Sequence, residues 1–574
     1  MSKHLYIVML ISSLFSISAN ANQCLPKDKV SAISGIQGVG DSSPFTGKTV
    51  IVQGRITANM QKRSKLKGIY ISDNQQQADL TSGTSDGIFI YLPEGHASIP
   101  KNLALKAGQS IQVQGRVKEY YGLTELTHIQ NIILCSADLK IPIAAKIFSL
   151  DNESLESREG MLVQLKDSWV SGNKDFSRYG ELQLSTKSPL LSRRLNEPEN
   201  LVLSLGEKPS RQSLFSNPAH ARLGTKLKPI TGVVHFAYGK YWLIPTQPLQ
   251  VETLSRPPIP ETPNFSRISI THLNLKNLFN GDGHGQQFPT KRGAKTYRDY
   301  QIQLNKIAIG LNELNTKIIA VSELENDGYG THSAIDDLVK AINSHRNSNP
   351  YIYARLAHED GNQSTDAITQ GFLYQSDSIS VNDVTFLSLQ SSHQPARPAL
   401  LVNGVFRSDQ QRFQMAIVHF KSRGRPCSED STMPQTSRSF EGNCSQRREQ
   451  EMNKLLDQIK PTEGIDLIVG DFNAYPNERP LQSAEQKGWI RTRDLEYNIN
   501  GHSGNIDYTY VYDNQLIILD HILLHQDDQP SFLKRLDWHI NAAESSEILK
   551  HENETGVASR YRSSDHDPNI LYLK

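Results

Sequence analysis

Carboxylate and amide side chains follow several apolar runs in the second half of this sequence. Asp471 and Asn473 come directly after the run Ile465–Val469, and Glu323 follows the run Ile318–Val321. In α/β domains, ligands commonly bind at the carboxyl ends of strands. An aspartate and an amide two residues apart can orient a water molecule and hold an anionic oxygen, so the pattern predicts a hydrolytic site. A turn capped by Asp and Asn is the structural alternative.

Histidines occupy similar positions in this half of the chain. His419 closes one apolar run, and Asp565 and His566 stand just before the final strand-like segment. With 18 histidines in the chain, any single one is more often structural or exposed than catalytic. The same holds for Arg397. Such signals recur at strand ends throughout one segment, however, and this repetition favours a catalytic role for all of them.

These signals belong to seven motifs in a fixed order: Leu273-Asn274-Leu, Ser322-Glu323-Leu-Glu, Asp366-Ala-Ile, Val418-His419-Phe-Lys-Ser, Gly470-Asp471-Phe-Asn473, Leu519-Asp520-His521 and Ser564-Asp565-His566-Asp-Pro. The ordered set resembles the endonuclease/exonuclease/phosphatase superfamily over nearly all of residues 268–574. Within it, the chain is most similar to secreted bacterial nucleases that join an OB-like domain to the catalytic unit. One position departs from the family pattern, because Ser322 stands where the family usually has Gln. This change affects a supporting contact.

The resemblance implies a metal site and a site for the attacking water. Glu323, together with Asn274 and Asp565, would hold a divalent cation. Ligands that are all oxygen atoms suit Mg²⁺, with Mn²⁺ or Ca²⁺ as alternatives, better than they suit zinc. Asp471 would position or deprotonate the water.

The resemblance also implies contacts with the substrate. Asn473 and His419 would contact the scissile phosphate. His566, oriented by Asp520, would stabilise the developing charge or protonate the leaving oxygen. Further substrate contacts are expected from Asp366, Arg397, Lys421 and Arg423. Asp366 resembles the acidic partner of His419, and Arg397 resembles a phosphate contact of the family.

The motifs specify the reaction class better than the substrate, because the superfamily also includes sphingomyelinases and phosphoinositide phosphatases. From Arg412 to Arg448 there are seven Lys or Arg against three Asp or Glu, including Lys421, Arg423, Arg425, Arg447 and Arg448. This favours a polyanion, although a solvated basic loop is the alternative. The formal net charge of +1 neither supports nor excludes DNA. We therefore expect a DNA nuclease with little sequence specificity, which could also accept RNA. A lipid-directed phosphodiesterase and a non-catalytic binding protein are the alternatives.

The N-terminal half of the chain is rich in short strand-like runs. Residues 24–137 predict an OB-like β-barrel, and residues 140–255 a second β-rich domain of the same kind. OB barrels often bind single strands, and candidate contacts in the first domain are Lys62, Arg63, Lys65, Lys67, Tyr120 and Tyr121.

A proline-rich linker at 256–264 precedes a region of alternating strands and helices, residues 265–574. Composition alone does not distinguish a doubly wound parallel sheet from an α/β sandwich. The resemblance implies the latter. The predicted architecture is multi-domain, with N-terminal all-β, OB-like barrels followed by a four-layered α/β sandwich of the endonuclease/exonuclease/phosphatase type.

The N-terminus and the cysteines indicate export. Residues 1–21 have the pattern of a signal peptide, with an apolar run too short to span a membrane and the cleavage pattern Ala19-Asn20-Ala21. A buried N-terminal element is the alternative. The four cysteines predict the disulfides Cys24–Cys135 and Cys427–Cys444, since each pair brackets one structural unit; a zinc site competes weakly without C-x-x-C spacing. We expect a secreted or periplasmic monomer with no membrane span.

Overall fold

The chain divides into two compact units, which are described separately. The computed structural model describes residues 24–73, 83–101, 103–136, 145–148, 154–190, 201–205, 215, 217–254, 256–356, 366–390, 396–432, 441–501 and 507–574. The first unit comprises Met1–Leu165, Leu205–Lys208 and Ile230–Gln247, and the second comprises Lys166–Ser204, Pro209–Pro229 and Pro248–Lys574. The predicted signal peptide lies outside the described residues. Within the described ranges, no helix combines the length and the apolar character that crossing a membrane requires.

Five strands of the first unit close into a barrel in the order β1-β2-β3-β5-β4. They follow a short helix, α1 (Ile33–Gln37), and are β1 (Thr49–Asn59), β2 (Gly68–Ser72), β3 (Gly87–Tyr91), β4 (Ser110–Tyr120) and β5 (Leu123–Ser136). Their inward residues are β-branched or aliphatic, and Val52, Ile71 and Val113 are fully buried in the interior. A disulfide joins Cys24 to Cys135 in β5, which confirms that predicted pair.

Residues 145–253 contribute strands to both units. These elements are β6 (Lys146–Phe148), β7 (Leu162–Leu165), β8 (Ser168–Gly172), α2 (Phe176–Tyr179), β9 (Glu181–Ser185), β10 (Leu201–Ser204), β11 (Lys226–Leu227), β12 (Ile230–Ala237), β13 (Lys240–Pro245) and β14 (Val251–Thr253). In the first unit the order is β13-β12-β7-β6, and in the second it is β14-β11-β8-β9-β10.

Two six-stranded sheets dominate the second unit. Their strands, with one separate hairpin formed by β24 and β25, are β15 (Ile268–Leu278), β16 (Ile318–Glu325), β17 (Tyr351–Tyr353), β18 (Ile368–Gln375), β19 (Ile379–Leu387), β20 (Ala399–Phe406), β21 (Arg412–His419), β22 (Ile465–Asp471), β23 (Trp489–Arg491), β24 (Tyr510–Tyr512), β25 (Gln515–Ile517), β26 (Asp520–His525), β27 (Phe532–Asp537) and β28 (Asn569–Leu573). The first sheet has the order β17-β18-β16-β15-β28-β27, and the second has the order β19-β20-β21-β22-β26-β23.

The two sheets pack face to face, and four of the helices cover their outer faces. The helices of the second unit that follow β15 are α3 (Tyr297–Leu314), α4 (Ala334–Asn343), α5 (Ser445–Gln458), α6 (Arg479–Gln486), α7 (Thr492–Asn500) and α8 (Glu547–Thr555). Residues of both sheets, such as Ile270 and Met415, share one buried core. The opposite face of the first sheet packs against α3 and α4, and that of the second sheet packs against α5 and α6. These layers fit the predicted α/β sandwich.

Two parallel strand pairs bring the motif-bearing strand ends to one edge of the sandwich. β15 is parallel to β16, and β21 is parallel to β22, so that His419 pairs with Asp471 across the second sheet. The apolar runs predicted from the sequence form these strands, because strands buried on both faces need continuous apolar sequence. The helix α3 (Tyr297–Leu314) follows β15, as the predicted alternation of strands and helices requires.

The second predicted disulfide, Cys427–Cys444, is confirmed and closes the segment before α5. Asp430 accepts hydrogen bonds from the backbone amides of both cysteines, at 2.7 and 2.9 Å. We expect these two bonds to remain when serine replaces both cysteines, because neither bond involves a sulfur atom. The sulfur bridge therefore acts mainly by restricting the unfolded chain.

We expect the Cys427→Ser/Cys444→Ser variant to lose about 3 kcal/mol of unfolding free energy, the value for a closed loop of roughly this length. Urea denaturation of the full-length protein, followed by tryptophan fluorescence, measures this loss of unfolding free energy. Identical urea midpoints for the variant and the parent protein would contradict the assignment.

Candidate functional site

A cleft of about 790 Å³ opens at the edge of the sandwich where the motif-bearing strands end. It brings together ten of the twelve residues proposed from the sequence: Glu323, Asp366, Arg397, His419, Lys421, Arg423, Asp471, Asn473, Asp565 and His566. The other two, Asn274 and Asp520, lie behind this wall and contact it. Asn274 donates a hydrogen bond to Asp471 Oδ2 at 3.1 Å, and Asp520 accepts one from His566.

Asp520 and His566 form a buried dyad. Asp520 Oδ2 lies 2.7 Å from His566 Nδ1, and the backbone amide of Asp520 donates to Thr509 Oγ1. Burial opposes a charge on the imidazole, but the Asp520 carboxylate outweighs it and raises the pKa of His566 well above its usual value. The pKa of Asp520 is correspondingly lowered, because the favourable interaction with His566 exceeds the cost of burial. His566 is therefore held protonated and able to donate from Nε2.

Asp471 ends β22 at the centre of the cleft wall. Its Oδ1 accepts a hydrogen bond from the Asn473 backbone amide at 2.8 Å, and its Oδ2 lies 3.5 Å from His419 Nε2 and 4.0 Å from His566 Nε2. Burial raises the pKa of Asp471 to about 7, against the attraction of His566. A carboxylate with this pKa is a suitable proton acceptor at neutral pH.

Glu323, in β16, and Asp565, just before β28, present two half-buried carboxylates to the cleft. Burial, and then the charge of Asp565, raises the pKa of Glu323. Asp565 keeps a lowered pKa because His566, Lys276 and Arg562 outweigh the cost of its burial. Two adjacent carboxylates with all-oxygen donors fit a hard divalent cation such as Mg²⁺.

Asn274 is oriented towards its neighbours in this site. Its Oδ1 accepts a hydrogen bond from the Lys276 backbone amide at 2.9 Å, and its Nδ2 faces Asp471. The amide oxygen retains a second lone pair, so Asn274 can orient Asp471 and also contribute an oxygen to a cation held by Glu323 and Asp565.

A second group of potential ligands lies at the same place. Among the His, Cys, Asp and Glu side chains of the described ranges, three bring ligand atoms within 4.8 Å of one another: Asp471, Asp520 and His566. His566 Nδ1 and Asp520 Oδ2 of this group already face each other at 2.7 Å. This group is better suited to proton transfer.

Asp366 is held by arginines. Its carboxylate accepts a hydrogen bond from Arg397 Nε at 2.9 Å and lies 3.4 Å from Arg292 Nη2. Arg397 also donates to the backbone carbonyls of His419 and Phe420, at 2.9 and 3.0 Å. The acidic groups placed on the His419 ring are Asp471 and, at 3.9 Å, Glu323. Asp366 thus orients Arg397, and Arg397 in turn supports the strand end that carries His419.

The basic segment is less available to a substrate than its sequence indicated. Arg448 is fully buried and pairs with Glu478 at 2.9 Å, and the buried Arg447 pairs with Glu451 at 3.4 Å. Arg423 also pairs with Glu478 and stacks on the Tyr475 ring, with 3.7 Å between the guanidinium carbon and the ring centre. The expectation that Arg447 and Arg448 form part of a basic surface is therefore wrong, because both side chains lie on the buried face of α5. Lys421 and Arg423 do line the cleft.

Sequence reasoning missed several residues of the site. The fully buried His272 lies 2.7 Å from Ser322 Oγ and 3.5 Å from Asp520 Oδ1, so the unusual Ser322 is paired with an imidazole. The spacing His272-Leu-Asn274 could have revealed it, because residues two apart share one face of a strand. Arg292, from a loop, and Tyr510 and Tyr512, from β24, also line the cleft.

Comparison with known families gives one match, to a "Domain of unknown function (DUF8508)" over residues 150–255. A search of curated protein sequences finds no match.

Solved structures that match the chain include endonuclease/exonuclease/phosphatase family proteins. The human Nocturnin catalytic domain with bound sulfate anion is 13% identical, and the match covers 54% of this chain and 93% of that one with a TM-score of 0.34. An endonuclease/exonuclease/phosphatase from Bacteroides vulgatus is 12% identical, with coverage of 54% and 98% and a TM-score of 0.33. A mannosyl-6-phosphatase from Bacteroides thetaiotaomicron is 14% identical, with coverage of 54% and 99% and a TM-score of 0.32.

Proposed function

We propose that the protein is a secreted, metal-dependent nuclease that hydrolyses the phosphodiester bonds of DNA with little sequence specificity. The observation that carries this proposal is the cleft itself. In it, a proton acceptor, Asp471, faces a protonated histidine, His566, beside the paired carboxylates Glu323 and Asp565. The motif order that resembles the endonuclease/exonuclease/phosphatase superfamily supports membership in it.

The buried side chains divide the work of hydrolysis between them. Asp471 orients the water and accepts its proton, which its raised pKa favours. His566 donates to the leaving oxygen from Nε2, and Asp520 keeps it protonated. Burial and the neighbouring Arg397 hold the pKa of His419 well below its usual value, so that this imidazole is neutral and binds the phosphate by hydrogen bonding.

Glu323 and Asp565, with the Asn274 carbonyl, would hold the divalent cation, for which Mg²⁺ is proposed. When bound, the cation polarises the phosphoryl oxygens and offsets the negative charge that develops on them. Asn473 and Arg397 add donors around the same position, and donors that are already oriented need no reorganisation during the reaction.

A polyanionic substrate is favoured by the charges at the rim of the cleft. Arg292, Arg397, Lys421 and Arg423 all line it. Only some of this charge is available, since Arg397 and Arg292 share Asp366 and Arg423 shares Glu478. We propose that the basic side chains contact successive phosphates of one strand, with single-stranded or duplex DNA as the proposed substrate.

The N-terminal unit and the disulfides support two further parts of the proposal. The strand order β1-β2-β3-β5-β4 of a closed five-stranded barrel is consistent with an OB-like domain. Two disulfides are compatible with an oxidising compartment, outside the cytoplasm, and hence with secretion to the periplasm or the medium.

We expect the mature protein to degrade DNA in Mg²⁺, and EDTA to abolish the activity. Nicking of closed-circular DNA would identify an endonuclease, and shortening of linear DNA alone would identify an exonuclease. The Glu323→Gln variant should lose about 10²-fold or more in cleavage rate at fixed Mg²⁺, because a neutral amide binds a divalent cation far less tightly than a carboxylate. Gel electrophoresis of time courses measures both effects.

Glu325→Gln is the matched control, because this residue lies two positions further along β16 and accepts a hydrogen bond from the Asn280 backbone amide at 2.8 Å. It should retain the parental rate. If neither DNA form changes in any divalent cation, DNA is not the substrate, and sphingomyelin and phosphoinositides become the substrates to test.

A further inference from the structure

A β-hairpin with a two-residue turn, formed by β24 and β25, lines part of the cleft beside the catalytic dyad. β24 and β25 are joined by Asp513 and Asn514, whose φ angles of 49° and 63° are those of a tight turn that matches the twist of paired strands. At the base of the hairpin, the Tyr510 ring packs on His566 with 4.7 Å between ring centres. At its tip, Tyr512 lines the cleft with 66% of its surface exposed.

Residues after β8 hold the tip of this hairpin in place. Asn514 Oδ1 accepts hydrogen bonds from the backbone amides of Asn173 and Lys174, at 3.0 and 3.1 Å. Lys174 Nζ also pairs with Asp513 at 2.7 Å. Gly172 lies so close that a Cβ atom there would come within 2.5 Å of Asn514 Cγ.

Residues 172–174, here called the brace, hold the exposed ring of Tyr512 in a fixed position through their contacts with Asp513 and Asn514. A two-stranded hairpin that does not join a larger sheet has little stability of its own. Two backbone donors and one ion pair bind its tip to a segment that is itself part of the second unit. A large exposed ring held rigidly at the rim of the cleft loses little conformational entropy when a flat ligand stacks on it.

We propose that Tyr512 is a stacking platform for a nucleobase of the polynucleotide substrate, and that residues 172–174 exist in part to hold it there. The inference rests on the proposed function and adds a base-binding subsite to it. Phosphates would be held by Arg292 and Lys421 inside the cleft, and the base next to the scissile phosphate would lie on Tyr512. Because every base has an aromatic face, such a site binds all sequences alike.

The first test removes the ring. Tyr512→Ala should lower kcat/KM for oligonucleotide cleavage about tenfold, the scale of one base–aromatic stack, whereas Tyr512→Phe should retain most of it. The loss should be much smaller for an oligomer of abasic sugar phosphates, a diester substrate without an aromatic ring. Tyr179→Ala, in the short helix α2 and outside the cleft lining, is the matched control and should keep the parental values.

The second test removes the base. We would place one abasic sugar at successive positions around the cleaved bond. At the position that contacts Tyr512, the abasic substrate should be cut about tenfold less efficiently by the parent protein, and Tyr512→Ala should then cause no further loss. Independent losses at every position would overturn the proposal.

The third test loosens the brace and leaves the ring in place. Asn514→Gly accommodates the positive φ but removes the acceptor for the amides of residues 173 and 174, and Asn514→Asp retains that acceptor. We expect the glycine variant to lose kcat/KM for oligonucleotides several-fold and the aspartate variant to stay near the parent.

The outcomes separate this inference from the proposed function. If the parent protein cleaves oligonucleotides and Tyr512→Ala cleaves them equally well, the stacking site is wrong and the nuclease assignment stands. If the parent hydrolyses a small diester such as methyl p-nitrophenyl phosphate but no oligonucleotide, the nuclease assignment itself is wrong.

Discussion

Asp471→Asn is expected to lower kcat for DNA cleavage by about 10³-fold, within the range that general-base catalysis contributes. Asparagine keeps the size of the side chain and can still accept the hydrogen bond from the Asn473 amide. It carries no charge and cannot take a proton from water, so the change removes the chemical role and leaves the packing. Single-turnover cleavage of a labelled oligonucleotide at saturating Mg²⁺ measures the step directly.

Asp466→Asn is the matched control for this variant. Asp466 lies in the same strand and is equally buried, but its carboxylate accepts hydrogen bonds from Thr462 at 2.7 and 3.0 Å, away from the cleft. We expect it to cost stability without the large loss of kcat. A rate for Asp471→Asn within a few-fold of the parent would remove Asp471 from the proposed mechanism.

The position of Asp471 shows what the sequence could predict. Each apolar run that ends in a polar motif had to be a buried strand, and its carboxyl end had to lie at the edge of a sheet. The parallel pairing of β21 with β22 then places His419 opposite Asp471. Local sequence therefore suffices for strand ends, and the order of the motifs suffices for their convergence.

The partners of the charged side chains could not be predicted in the same way. Arg448 was expected at a basic surface, but its partner Glu478 is 30 residues away and lies at the start of α6. Whether an arginine on a helix is solvated or buried depends on such a long-range carboxylate, which no local pattern encodes. The β24–β25 hairpin was missed for a related reason. Its turn, Asp513-Asn514, is a recognisable signal, but its closeness to His566 depends on tertiary packing.

The second large effect is expected from the Asp520–His566 dyad. Asp520→Asn should lower kcat by about 10²–10⁴-fold, because an amide neither stabilises the imidazolium nor fixes the proton on Nδ1. In the parent protein Asp520 raises the pKa of His566, so the donor stays protonated to a higher pH than a free imidazole would. Without the carboxylate that pKa falls, and the protonated fraction declines at a lower pH. The alkaline limb of the kcat–pH profile should therefore move to lower pH, and an unchanged limb would contradict the assignment.

A double-variant cycle distinguishes a dyad from two independent residues. If Asp520 acts only through His566, then Asp520→Asn in a His566→Ala background removes an aid to a group that is no longer present. The double variant should then be about as slow as His566→Ala alone, since residues that act as one unit are strongly non-additive. Multiplicative losses would instead give Asp520 a separate role. A separate role would act through His272. The second carboxylate oxygen of Asp520 lies 3.5 Å from this buried ring, and burial lowers the pKa of His272 to about 4. The neutral ring of His272 completes the surroundings of Asp520 without competing for its charge, and this leaves His566 as the cation that the carboxylate stabilises.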